Sequence, residues 1–373
     1  FLLDVGYVGT QTRHGLARAP FNEAPFGSAW LPQNQDPARC ATIATCNLNG
    51  DNALPVDLLR PYAGYAGAGA AVAQSGLGGG GFIATFGSSS NYNALQVAVK
   101  RNVAKNMTIG ANYTWSKTMG TDTDFQYAGN PVAHRKADYG LLTYDRTQTL
   151  VVNYIYNLPK VAKNGTALAN PAFKLILNDW QISGITSLTS GSPQVVGQTS
   201  AATSVSDLGK YGVQGVGATA LNRQITGSEG WAPRPTLSCT PNVSPGDRTL
   251  EAFVNTSCFH PASKGSIGMD SAVRPFRGPG MNNWDLSLFK KIPLGSSEVR
   301  FLQLRFEMYN AWNHTQWLTF NNNPTFDATG KITNLPAALG GGGGRFGFGA
   351  LSTVRAAAAG GPRNIHIAAK FYC

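Results

Sequence analysis

From Met107 to Trp115, apolar and polar residues alternate at every position: Met107, Ile109, Ala111, Tyr113 and Trp115 against Thr108, Gly110, Asn112 and Thr114. A period of two marks an extended strand with one apolar and one polar face. The preceding stretch does the same, with Leu95, Val97 and Val99 against Gln96, Ala98 and Lys100, and the polar link Arg101 to Asn106 joins the two as a hairpin. Leu150, Val152, Tyr154 and Tyr156 alternate with Thr149, Asn153 and Asn157, although Val151 and Ile155 blur the polar face. Trp180, Ile182, Thr186 and Leu188 oppose Gln181, Ser183 and Ser187, and Trp284, Leu286 and Leu288 oppose Asp285 and Ser287. Leu302, Leu304, Phe306 and Met308 oppose Gln303, Arg305 and Glu307, while Ile365, Ile367, Ala369 and Phe371 oppose Asn364, His366 and Lys370. With Leu3, Val5 and Tyr7 at the start, the pattern predicts about eight strands of about nine to eleven residues, the length that crosses a bilayer at a tilt.

A soluble sandwich also alternates, so the connections arbitrate. Arg101 to Asn106 and Lys291 to Glu298 are short links, Pro159 to Asp179 is intermediate, and roughly thirty to ninety residues follow Trp115, Leu188 and Asn313. Tight turns on one rim and long loops on the other predict an antiparallel transmembrane β-barrel, with short periplasmic turns and long extracellular loops. Trp115, Trp180 and Trp284 fall at strand ends, where an interfacial aromatic belt requires them. The polar faces carry Lys100, Asp285, Arg305 and Glu307, which a dry core would not tolerate and a wet lumen or polar plug would.

Other classes fare worse. No stretch of eighteen apolar residues exists, so helical membrane spans are excluded. Only 13% of residues are charged, and the net charge of +11 is dispersed without a dense basic run, which argues against nucleic acid and suits anionic surfaces such as lipopolysaccharide. Cys40 with Cys46 and Cys239 with Cys258 form two sequence-local pairs without CxxC spacing, the pattern of loop disulfides in an oxidising compartment. The five histidines are scattered singly, so no metal site and no cofactor is expected. The glycine runs 78–81 and 340–344 lack the Lys and Ser or Thr of a phosphate loop and read as mobile loop glycine. Asp122 and Asp124 read as a solvated acidic pair, without the spacing of a calcium loop. No nucleophile elbow of the GxSxG type is present, so an enzyme is not expected.

Several strings then carry a resemblance. Ser90 to Gln96, Ala111 to Lys117, Asp138 to Gly140, Asp145 with Arg146, Trp180 to Gly184, Arg277 to Gly280, Asn283 to Lys290 and Phe306 to Asn310, with Asn313 and His314, together resemble the barrels of TonB-dependent outer-membrane receptors. They are most similar to the Oar-like group, which carries an amino-terminal carboxypeptidase-regulatory-like domain. The resemblance implies a barrel of about twenty-two strands closed around a plug. It also implies energy supplied by TonB through a short box before the plug, and a last strand read by the barrel-assembly machinery. On this reading residues 1–373 are the carboxyl-terminal part of a barrel domain, opening directly on a strand at Phe1, with plug and amino-terminal domains outside it. Cys373 departs from the terminal aromatic that the resemblance leads one to expect.

The function expected is uptake of a ligand such as a siderophore, oligosaccharide or peptide across the outer membrane; the alternative is a passive porin or adhesin-like barrel that binds through its loops. Loops 117–146 and 191–282 are the expected contact surfaces, with Tyr127, Arg135, Trp231 and Arg234 as candidates on the preference of binding surfaces for aromatics and arginine.

Overall fold

The computed structural model describes residues 1–20, 22–62, 82–103, 106–121, 138–197, 199–200, 207–208, 213–214, 218–228, 233–268, 271–295, 300–327, 329–355 and 361–372. Eight long strands form one antiparallel meander: β1 Leu2–Pro20, β2 Phe82–Val103, β3 Met107–Gly120, β4 Gln148–Asn157, β5 Trp180–Thr189, β6 Met281–Pro293, β7 Phe301–Tyr309 and β8 Asn364–Tyr372. Each alternating segment of the sequence becomes one of these strands. Four exceed the expected span: β3 at 14 residues, β6 at 13, and most of all the first two, at 19 and 22, whose pairing continues through the polar stretches after Val8 and before Ala94.

Direct partners in an antiparallel ladder point to the same side of the sheet, so the register states which residues share a face. One line of partners runs Val5, Val97, Tyr113, Leu150 and Leu188. Another runs Tyr156, Ile182, Leu288, Phe306 and Ile367. The alternating apolar residues of all eight strands therefore lie on one face, while Val151, Ile155, Ile185 and Phe289 fall on the other. Lys290 falls on the apolar side too, at the strand end, where its ammonium donates to the Asn178 carbonyl and stands 5.5 Å from the centre of the Trp180 ring. Gly184 has the Tyr154 phenol lying over it, at 2.7 Å from where a Cβ would stand, so the cross-strand aromatic fills the place a side chain would take.

Among the described residues no second layer covers the apolar face. Two buried apolar clusters among the described residues, one around Phe259, Phe326 and Phe348 and one around Ala29 and Ala53, contain no residue of the eight strands. Val5, Trp115 and Ile367 are 57%, 57% and 75% exposed, which is untenable in water across a whole sheet face and suits hydrocarbon.

The connections alternate between rims. Residues 104–106, 158–179 and 294–300 link strands at one rim, the middle link carrying a short helix Pro171–Leu177 capped by the Asn170 side chain. Residues 21–81, 121–147, 190–280 and 310–363 link them at the other. Among the described residues β1 and β8 are edges with no partner on their outer sides, so the sheet is an open wall and not a closed ring, and the twenty-two-strand circumference stays with the resemblance.

Candidate ligand-binding site

The long loops hold on to one another. Loop 190–280 and loop 310–363 share the larger apolar cluster, in which Phe259 meets Phe348 edge-on at 5.2 Å and Phe276 packs on Phe320 at 5.0 Å. Backbone bonds stitch the same two loops, Phe253 N–H to Gly349 C=O at 3.1 Å and Leu351 N–H to Leu250 C=O at 2.8 Å. The Cys239–Cys258 disulfide closes one side of this core, with Cys258 fully buried in it. The Gly340 to Gly344 run is part of the packing, contrary to the expectation of mobile glycine. Gly341 and Gly343 donate to the carbonyls of Pro336 and Leu335, and a Cβ on either would overlap the backbone of residues 334 and 335.

Loop 21–62 docks on the same hub. Gly27 N–H donates to Thr226 C=O at 2.8 Å, Ala29 N–H to Gly227 C=O at 2.9 Å, and Gln224 Nε2 to Asp51 Oδ1 at 2.7 Å. A Cβ on Gly227, which sits at φ 67°, would run into the Gly27 backbone, so glycine is required at this close approach. The Cys40–Cys46 disulfide lies in this loop. The loop after β3 joins through the Asp145–Arg277 ion pair and through Arg274, which donates to the Leu141 carbonyl at 2.8 Å. All four long loops thus meet in one cap, with 190–280 at its centre.

The polar face of the sheet carries the charged residues that the alternation picks out. Lys100, Gly110, Asn153, Ile185 and Asp285 are successive partners across five strands, and Glu307 and Arg305 follow the same side opposite Ser287 and Phe289. Towards the short-turn rim, Asn157, Gln181, Phe289, Lys291 and Gln303 line a cleft of about 360 Å³. Arg305 stands 5.4 Å from the Phe289 ring centre and donates to Gln303 Oε1 at 2.9 Å and Tyr372 Oη at 3.1 Å. Lys291 lies 4.1 Å from the Phe301 ring centre, and Phe301 stacks on Tyr372 at 4.4 Å. This surface is polar and carries charges of both signs, Lys100, Lys291 and Arg305 with Asp285 and Glu307.

Residues 1–346 match the family described as Outer membrane beta barrel domain. The chain belongs to the outer-membrane β-barrel family. No curated protein and no solved structure matches it. As a protein of the outer membrane, its uncovered apolar face has hydrocarbon for a partner. Strand β8, at Asn364–Tyr372, lies beyond the matched residues and still pairs with β7 along its length.

In this outer-membrane barrel Trp115, Trp180 and Trp284 all point to the apolar side. Trp115 and Trp284 stand towards the long-loop rim and Trp180 at the short-turn rim, its indole N–H donating to the Ile176 carbonyl at 2.7 Å. Of the loop candidates, Tyr127, Arg135 and Trp231 lie outside the described residues, as do Cys373, the acidic pair Asp122 and Asp124, and the glycines 78–81. Arg234 is 3% exposed, so its side chain is a buried member of the cap and not an open contact. Sequence reasoning passed over the Asp145–Arg277 pair, although both residues stand in the strings that carry the resemblance.

Proposed function

We propose that this barrel wall and its cap belong to a receptor that takes up a siderophore, oligosaccharide or peptide through the outer membrane with energy supplied by TonB. The long-loop rim faces outward and the short-turn rim faces the periplasm. A plug, encoded outside this chain, occupies the polar side of the sheet, meeting Lys100, Asp285, Arg305 and Glu307. The barrel-assembly machinery inserts the wall by way of β8. Tyr127, Arg135 and Trp231 contribute the outer contacts, and the ligand passes unchanged.

The observation that supports this reading best is the joining of four loops into one disulfide-clamped cap. Such a cap presents a shaped surface for selective capture, where a passive pore needs an open mouth. The resemblance of the ordered strings supplies the energised mechanism. The test is uptake in cells that express the complete gene. Accumulation of the ligand should stop when the proton gradient is dissipated or TonB is removed. Accumulation that continues unchanged would assign the barrel to passive diffusion, and surface binding without entry would assign it to adhesion.

A further inference from the structure

Near the long-loop rim the β3–β4 ladder is interrupted. It runs to the Trp115–Gln148 pair, and β3 pairs again only at Met119 with Leu141. Across the gap, Ser116 N–H donates to Thr147 C=O at 2.9 Å, and the Asp145 carboxylate accepts the Thr118 N–H. A cleft of about 460 Å³ opens here, lined by Tyr7, Leu95, Trp115, Lys117, Leu141 and Arg277 among others. Tyr7, Leu95 and Trp115 are successive partners on the apolar face, and Lys117, paired with Asn93, follows Trp115 on that same side. Tyr7 is 72% and Trp115 57% exposed, so both offer ring surface to the membrane.

Positive charge collects at the inner end of this cleft. Arg277 is ion-paired with Asp145, whose side chain is fully buried, and Arg146 donates to the Asp145 carbonyl at 2.8 Å. Burial, followed by the nearby Arg355 and Arg277 guanidiniums, holds Arg146 below the ordinary arginine pKa. Arg146 and Arg355 thus add positive charge beside the single Arg277–Asp145 ion pair. Lys117 is exposed beside Trp115 and has no carboxylate partner among the described residues. An apolar floor that ends in excess cations complements a molecule with an apolar body and an anionic head.

We propose that this cleft binds a phosphorylated lipid of the outer leaflet, its acyl part on Tyr7, Leu95 and Trp115 and its phosphate at Lys117 and Arg277. The outer leaflet is the source because the cleft opens on the membrane-facing side at the long-loop rim. The proposal uses the outward orientation of that rim and is independent of any uptake activity. Arg146 and Arg355 act at longer range, offsetting the charge that Asp145 takes from Arg277.

The test is native mass spectrometry, in a nonionic detergent, of the complete folded protein that the full gene encodes. Three probes are offered: lipid A bearing both phosphates, lipid A stripped of phosphate, and inorganic phosphate. Bisphosphorylated lipid A should bind saturably, and the stripped lipid about tenfold more weakly. Lys117→Glu and Trp115→Ala should each weaken binding about tenfold, while Lys163→Glu, at the short-turn rim, should leave it unchanged. Each variant is first checked for the heat-sensitive gel migration of a folded barrel, with Lys117→Gln replacing Lys117→Glu should that variant fail. Equal binding of the stripped lipid, or unaltered affinity in the Lys117 variant, overturns the proposal. So does full displacement of lipid A by inorganic phosphate, which would leave a free oxyanion as the ligand.

Discussion

The Asp285 carboxylate on β6 accepts the backbone N–H of Asn310 at 2.9 Å, just past the end of β7. Asn310 is 1% exposed at φ 50°, and its side chain donates to the carbonyls of His314 and Gly361 at 2.8 Å each while accepting the His314 N–H at 2.9 Å. A left-handed residue thus turns the chain out of β7, and the neighbouring strand's carboxylate holds the turn.

Removing that acceptor should loosen the junction between wall and cap. Asp285→Ala leaves the Asn310 N–H unpaired and frees Asn283, whose amide donates to the same carboxylate oxygen at 3.0 Å. We expect a loss of about 1–3 kcal/mol, with Asp285→Asn costing less because it keeps an acceptor. Urea midpoints of the folded barrel in detergent decide it; equal midpoints for the wild-type and Ala proteins would remove the carboxylate from this role.

The cap carries a built-in sensitivity to alkali. Glu23 is 5% exposed and its Oε2 has no hydrogen-bond partner among the described residues; burial pushes its pKa from 4.5 up to about 8, with Arg60 pulling it down and Asp138 pushing it up. Between those two values the unfolded chain releases this proton and the folded cap keeps it. Cap stability should therefore fall as pH rises from 4.5 to about 8 and level off above. Glu23→Gln cannot ionise, so it should flatten this part of the profile and stabilise the cap at high pH by on the order of 2–4 kcal/mol. Urea midpoints read by near-ultraviolet dichroism at pH 5 and pH 9 test this, and parallel pH profiles for the two proteins would refute it.

The two disulfides should differ in weight. Cys239 and Cys258 are 19 residues apart and close the apolar cap core, whereas Cys40 and Cys46 are 6 apart at the edge of loop 21–62. Loop-closure entropy gives about 3 kcal/mol for the first and about 2 kcal/mol for the second. Cys239→Ser with Cys258→Ser should thus open the cap to protease sooner than the other pair of substitutions, while far-ultraviolet strand signal survives in both. A reversed order of cleavage would show that the phenylalanine cluster does not depend on its clamp.

The strands were legible because each reports its own environment: Met107 to Trp115 needs no distant partner to announce two faces. The local cysteine pairing was legible for a similar reason, since short separation leaves few choices. The cap was not. Phe253, Phe259, Phe276, Phe320, Phe326 and Phe348 come from two loops separated by β6 and β7, with no common period to connect them. Gly341 and Gly343 gave the impression of looseness because their role depends on the backbone at residues 334 and 335, which sequence does not place beside them. Arg234 illustrates the limit of composition rules. Arginine favours binding surfaces on average, yet this one is buried in the cap.

Neighbouring residues on β6 give the sharpest test of which face meets lipid. Leu288 is opposite Ile182 and Phe306 on the apolar side, while Ser287 is opposite Ser183 and Glu307 on the polar side. They differ by one position in sequence and by a whole solvent in environment. Leu288→Arg places a guanidinium in hydrocarbon and should cost about 2–4 kcal/mol in folding into lipid vesicles. Ser287→Arg adds the same group to a polar face that already presents Glu307 opposite, so it should cost much less. Urea-dependent folding into phosphatidylcholine vesicles measures both. A larger penalty at Ser287 than at Leu288 would mean that the wall is turned inside out, with its apolar side against protein.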